Sequence, residues 1–173
     1  MTTTREMVLV GGVAAALRER GSWTGETHVQ KAAFVAKVLK HVPFESEFVL
    51  YKHGPFSFDL NKSLVHMRAR GILSLTQNPG YGPSFEVNRP LWNALNQAAG
   101  NVFRQYSEGI DVICDTLATK NVAELERIAT AIFLSVSHSD WSREELAEEL
   151  VRVKPHIPPE LARHAFDEAA QLA

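Results

Sequence analysis

The residues with the most obvious chemical potential in this 173-residue chain are seven histidines, one cysteine and the run His138-Ser139-Asp140. No histidine pair stands at i, i+4 around a glutamate and there is no second cysteine, so no metal-ligand spacing is present. His138, Ser139 and Asp140 have the residue types of a triad. Side chains adjacent in sequence rarely point at one another, and Ser139 or Asp140 serving as a helix cap explains the run at less cost. A hydrolase using His138 and Asp140 therefore ranks last among the readings. Cys114 falls on the apolar side of a helical run, where a free cysteine acts as a small hydrophobe. Gly11-Gly12 lies inside a helical pattern and Gly80-x-Gly82 in a hairpin tip, so neither is a phosphate-binding loop. These observations leave no catalytic residue, no metal and no cofactor, and the chain is expected to be non-enzymatic.

The segment from Ser57 to Arg70 offers a surface instead. At about 100° per residue, Leu60, Leu64 and Met67 share one face, which must enter the core. Asp59, Lys62, Ser63, His66 and Arg70 fall on a polar flank, and Phe58 and Val65 form a narrower apolar strip. In a major groove, Lys62, Ser63, His66 and Arg70 would be placed to meet bases or phosphates. Lys52 and His53 precede this helix, and Asn78 and Tyr81 would approach the sugar-phosphate backbone from a hairpin tip. Asp59 opposes that use through repulsion of phosphate, and the Phe58/Val65 strip fits a protein partner better.

The elements that position these residues follow from periodicity and punctuation. Met7, Val10, Val13, Ala14 and Leu17 recur at helical spacing from Thr4 to Arg20, and Gly21 ends the run. Thr27-x-x-Gln30 has the form of a capping box for a second helix reaching about Lys40 and stopped by Pro43. Phe48 to Tyr51 reads as a strand, Gly54-Pro55 as a turn, and Ser57 as the cap of a third helix closed by Gly71. Ile72 to Thr76 and Ser84 to Val87 are short strands around a turn-rich tip. Helix, glycine, strand, tip and strand make the pattern of a recognition helix followed by a wing. A usual winged helix has its first strand ahead of the second helix, whereas here it falls between the second and third.

The rest is helical. Pro90 starts a long helical pattern in which Gly100 or Gly109 introduces a kink or break; Asn121-x-x-Glu124 and Ser142-x-x-Glu145 are capping boxes, and Pro155, Pro158 and Pro159 precede a last helix. The expected fold is α+β and predominantly helical: a winged-helix-like part over residues 1–89 and a helical subdomain over 90–173, packed together.

Composition and charge narrow the classes further. With 45% apolar residues, 22% charged residues and a net charge of -2, the chain is neither disordered nor a disulfide-stapled miniprotein. The apolar run from Met7 to Leu17 is too short to span a bilayer, and a cytoplasmic protein without membrane contact is expected. Residues 28–89 carry eight Lys/Arg and four Asp/Glu, a net +4, whereas residues 90–173 carry seven and thirteen, a net -6. The first part can face a polyanion and the second cannot easily do so.

Short motifs add a resemblance. Gly25-Glu-Thr-His-Val-Gln-Lys-Ala-Ala-Phe-Val, Phe48-Val-Leu-Tyr-Lys-His-Gly-Pro-Phe-Ser and Leu64-x-x-Met-x-x-x-Gly71-Ile-Leu look like the YwgA-like family. They are also distantly similar to the Panacea (SocA-like) antitoxin domain, and Leu125-x-x-Ile-Ala-Thr-Ala-Ile-Phe and Lys154-Pro-His resemble the YwgA-like tail. Gln30, Lys31, Tyr51, Gly54, Pro55, Ser57 and Gly71 match the motif positions. The resemblance implies a protein that neutralises or tethers a partner, as Panacea domains neutralise toxins. Gly54 and Pro55 are expected to shape a sharp turn, with Lys31 either bonding across to it or lying exposed.

Two functions follow as expectations. The leading one is a DNA-binding regulator that touches duplex through Lys52, His53, Lys62, Ser63, His66, Arg70, Asn78 and Tyr81, and forms a homodimer through its acidic C-terminal helices. The alternative is a protein-interaction module, an antitoxin or defence-system accessory, that uses Phe58 and Val65 or the acidic C-terminal helices.

Overall fold

The computed structural model describes residues 2–173. Its first helix, α1 (Thr4–Glu19), has no polar face between Met7 and Leu17, and it is buried on all sides from Glu6 to Leu17. A helix apolar all round belongs in a core, and burying a leucine such as Leu9 or Leu17 is worth about 2 kcal/mol. Around it pack α2 (Glu26–Lys40), α3 (Phe58–Ala69), α4 (Arg89–Ala98) and α5 (Val102–Leu117). Helix α6 (Val122–Ser137) packs on α2 and carries α7 (Arg143–Val153) and α8 (Pro159–Ala170) on its far side. One continuous apolar cluster runs through both halves of the chain.

Glycine in α1 has a packing reason. A Cβ at Gly11 would stand 2.5 Å from Trp92 Cδ1, and one at Gly12 would strike the Phe103 ring. Trp92 and Phe103 meet edge to face at 5.1 Å, and Trp92 Nε1 donates to Val8 O at 3.0 Å. The two glycines thus admit two large rings against the central helix, at a cost in helix propensity of about 1 kcal/mol each.

Two antiparallel hairpins complete the fold. Strands β1 (Val49–Tyr51) and β2 (Gly54–Phe56) pair Val49 with Phe56 and Tyr51 with Gly54. Strands β3 (Leu73–Asn78) and β4 (Gly82–Val87) pair Leu73 with Val87 and Asn78 with Gly82. The α+β, predominantly helical expectation holds. The winged-helix arrangement is not supported: the hairpins are separate two-stranded sheets, and β1 pairs with β2 instead of extending the β3–β4 ribbon.

Local signals fare unevenly. Ser57, Asn121 and Ser142 cap their helices as expected, the last two in complete capping boxes. Gly71 is left-handed at φ 70°, and Gly100, also left-handed, separates α4 from α5. The Thr27 capping box does not form. Helix α2 starts two residues earlier, with Gly25 at the cap and Thr27 inside the helix, and the Gln30 amide is drawn elsewhere. Ser139 and Asp140 cap nothing, because α7 starts from Ser142. No helix among the described residues is long and apolar enough to cross a membrane.

Candidate functional site

The β1–β2 hairpin has two faces of opposite character. Alternation along β1 turns Val49 and Tyr51 outward, and the register sets Phe56 opposite Val49 on the same side. Phe58, the first residue of α3, joins them. The rings of Tyr51, Phe56 and Phe58 lie within 5.1–5.8 Å of one another, with Phe58 edge-on to both of the others. Tyr51 is 45% exposed, Phe58 51% and Val49 49%, so the cluster faces solvent. Val65, two helical turns beyond Phe58 on the same side of α3, is 53% exposed and continues the apolar strip. Lys52 and His53, both exposed, form the two-residue tip, and the Lys52 ammonium stands 5.9 Å from the centre of the Tyr51 ring.

The inner face is polar and closed. Gln30 is wholly buried and pairs with the backbone of Ser57: its Nε2 donates to Ser57 O at 2.9 Å, and Ser57 N–H donates to its Oε1 at 2.9 Å. Lys31, also buried, donates its ammonium to Pro55 O at 2.8 Å. Lys154, the residue ending α7, donates to Tyr51 O at 2.8 Å and to Lys52 O. Glu126 of α6 forms an ion pair with the Lys154 ammonium, 3.3 Å from one oxygen and without a hydrogen bond to it, and has His156 Nε2 at 3.4 Å from the other. Burial drives the Lys31 amine down to about 8, with Glu126 pulling it back up and Lys154 adding to the drop. Gly54 sits over Thr130, whose hydroxyl has no hydrogen-bond partner among the described residues; a Cβ at Gly54 would lie 2.9 Å from Thr130 Oγ1. At φ 85°, Gly54 also occupies the left-handed region.

The residues expected to meet DNA are not one set. Lys62, His66 and Arg70 are exposed and fall in line along α3, clear of the α6–α8 half. Lys62 is paired with Asp59 at 3.1 Å. Ser63, expected on the outer flank, is buried, with its hydroxyl donating to Asp59 O and 3.2 Å from the Thr2 hydroxyl, because the inner face of α3 is broad enough to include it. Asn78, expected to reach a backbone, is half-buried and donates to Ser84 Oγ within its own hairpin. Tyr81 is exposed at the β3–β4 tip, where its ring packs on Trp23 at 5.0 Å.

Of the other reactive types, the Cys114 thiol is buried and pushed up to about 12 by desolvation, which makes it inert. His138 stacks on Trp141 at 3.8 Å. Among the described residues, no group of three or more His, Cys, Asp or Glu is placed to hold a metal ion. Sequence reasoning missed Phe56, Glu126, Thr130 and Lys154. Phe56 carried a signal as an aromatic residue two positions before another, and Thr130 and Lys154 lay in quoted motifs that assigned them no role.

No protein-family model matches the chain, and neither the curated proteins nor the solved structures contain a match.

Proposed function

We propose that this chain is a non-enzymatic protein-interaction module of the antitoxin or defence-accessory kind, and that its docking face is formed by Val49, Tyr51, Phe56, Phe58 and Val65. One observation carries the reading: Tyr51 and Phe58 stand exposed and pack with the half-buried Phe56 ring, beside a hairpin whose other face is tied into the core. Contiguous exposed apolar surface of this kind marks contact sites, and aromatic anchors dominate protein interfaces.

The surroundings define the partner. Lys52, Lys62, Arg68 and Arg70 are exposed on the tip, on α3 and at its end, against Asp59 on α3 and Glu45 and Glu47 ahead of β1. The complementary ligand is a protein segment with an apolar anchor flanked by Asp or Glu, drawn in by charge and held by ring contacts. Nucleic acid fits less well. The rings meet edge to face and so do not present parallel surfaces for base stacking, and Val49 and Val65 extend the patch with aliphatic groups. Two of the side chains a duplex would need, Ser63 and Asn78, are engaged inside the protein. The motif resemblance to the YwgA-like and Panacea groups agrees with a partner-binding role.

The experiment is site-specific photocrosslinking in the native host, from position 58 and, as a control, from the exposed Val136 on α6. A discrete heterologous protein adduct from position 58 alone is expected, with its crosslinked peptide apolar and flanked by acids. Adducts only to DNA, or only to a second copy of this chain, would replace the reading.

A further inference from the structure

The geometry points to Lys154, Lys31 and Glu126 as a buried clamp that holds the β1–β2 hairpin in its docking posture, with Lys154 as the positioning residue that ties this surface to the α6–α8 half. The inference rests on the interaction reading for its functional meaning, but its structural content stands apart from it.

The hairpin cannot hold itself. It has three residue pairs, and a two-stranded ribbon of that length is not stable alone in water. Its inward carbonyls are bonded by side chains arriving from elsewhere. Lys31 of α2 takes Pro55 O, Gln30 takes Ser57 O, and Lys154 takes both Tyr51 O and Lys52 O. The Lys154 ammonium therefore grips β1 and the tip, while the α2 residues grip β2 and its exit. Glu126 supplies the charge that keeps Lys154 in place: both side chains are more than nine-tenths buried and their charged atoms are 3.3 Å apart. Two ammonium groups with one buried carboxylate are affordable because the backbone carbonyls complete their solvation.

Removing Lys154 leaves two carbonyls to find water and Glu126 without its buried counter-charge. The outcome with least cost is an opening of β1 and the tip, which carry Tyr51, Lys52 and His53. The apolar core around α1 has no share in these bonds and stays closed. Control of the aromatic face by a residue 102 positions away is the consequence. The α6–α8 half is then a brace for the front surface, whatever else it does.

Amide hydrogen exchange on the free protein tests this without any partner. In Lys154→Met, exchange over residues 49–56 is expected to rise roughly tenfold or more, while the amides of residues 7–17 keep their protection. Lys154→Gln, which retains a donor for one carbonyl, should give a smaller rise over the same segment and serves if the methionine variant does not fold. The crosslinking yield from position 58 should fall in the same order. Unchanged hairpin exchange in both variants, or an equal rise throughout the chain, would overturn the clamp. Hairpin opening with undiminished crosslinking would overturn its control of docking and leave the docking face itself standing.

Discussion

The side chain of Gln30 and the backbone of Ser57 complete each other, amide to peptide, through two hydrogen bonds of 2.9 Å inside the protein. This pair joins α2 to the start of α3 and fixes where the aromatic hairpin leaves the core. Neither group has access to water; Ser57 O also accepts from Asn61 N–H in the first turn of α3, whereas Ser57 N–H takes Gln30 as its acceptor.

Gln30→Ala leaves the N–H of Ser57 unpaired inside the protein, while Ser57 O keeps the N–H of Asn61. An orphaned buried group costs about 1–3 kcal/mol, and a loss of that size is expected, read from urea unfolding with an unchanged slope. A loss below about 0.5 kcal/mol would mean that water reaches Ser57 and that the pair is dispensable.

The Lys31 amine gives a pH dependence of definite sign. Folded, it releases its proton near pH 8; unfolded, it does so near 10.5. Between those values the unfolded chain holds more protons, so this group makes stability rise with pH, by up to about 3 kcal/mol over the whole window. Below pH 8 both states are protonated and the contribution is flat. Lys31→Met lacks this rise, so the wild-type minus variant difference in unfolding free energy should climb between pH 8 and 10. Cys114, pushed up to about 12, works in the opposite direction above pH 9, but it is common to both proteins and cancels. A difference independent of pH would place the Lys31 ammonium in solvent.

Gly54→Ala meets two obstacles. The left-handed backbone costs an alanine about 1–2 kcal/mol, and its Cβ presses on the Thr130 hydroxyl. Adding Thr130→Ala should recover the steric part and leave the backbone part. A double-mutant cycle with no coupling between the two positions would contradict the close seat of the hairpin on α6.

Much of the fold was legible because its signals are local. Asn121-x-x-Glu124 and Ser142-x-x-Glu145 close within four residues, and Gly71 needs only its own φ. Thr27-x-x-Gln30 looked the same and failed, since Gln30 gains more by satisfying two buried backbone groups 27 residues away than by capping its own helix. Gly54-Pro55-Phe56 read as a turn because glycine and proline punctuate; here they form a strand whose partner lies beyond a two-residue tip. The outward aromatic strip was half visible, through Phe58 and Val65, and Tyr51 and Phe56 joined it only once β1 and β2 were paired. Lys154 stood out only within the Lys154-Pro-His motif, and its tethering contacts were illegible because its acceptors lie more than 100 residues earlier.

The role of the aromatic face is tested most directly by calorimetric titration of the partner trapped from position 58 into three proteins: wild type, Tyr51→Ser/Phe58→Ser, and Lys62→Ala/Arg70→Ala. Aromatic anchors at an interface cost about 2 kcal/mol or more each when truncated, so the serine pair should weaken binding by about 100-fold or more. The cationic pair lies toward the rim and should cost only about 3-fold to 10-fold, diminishing as salt is added. Equal affinity for wild type and the serine pair, with binding abolished in the cationic pair, would contradict the account.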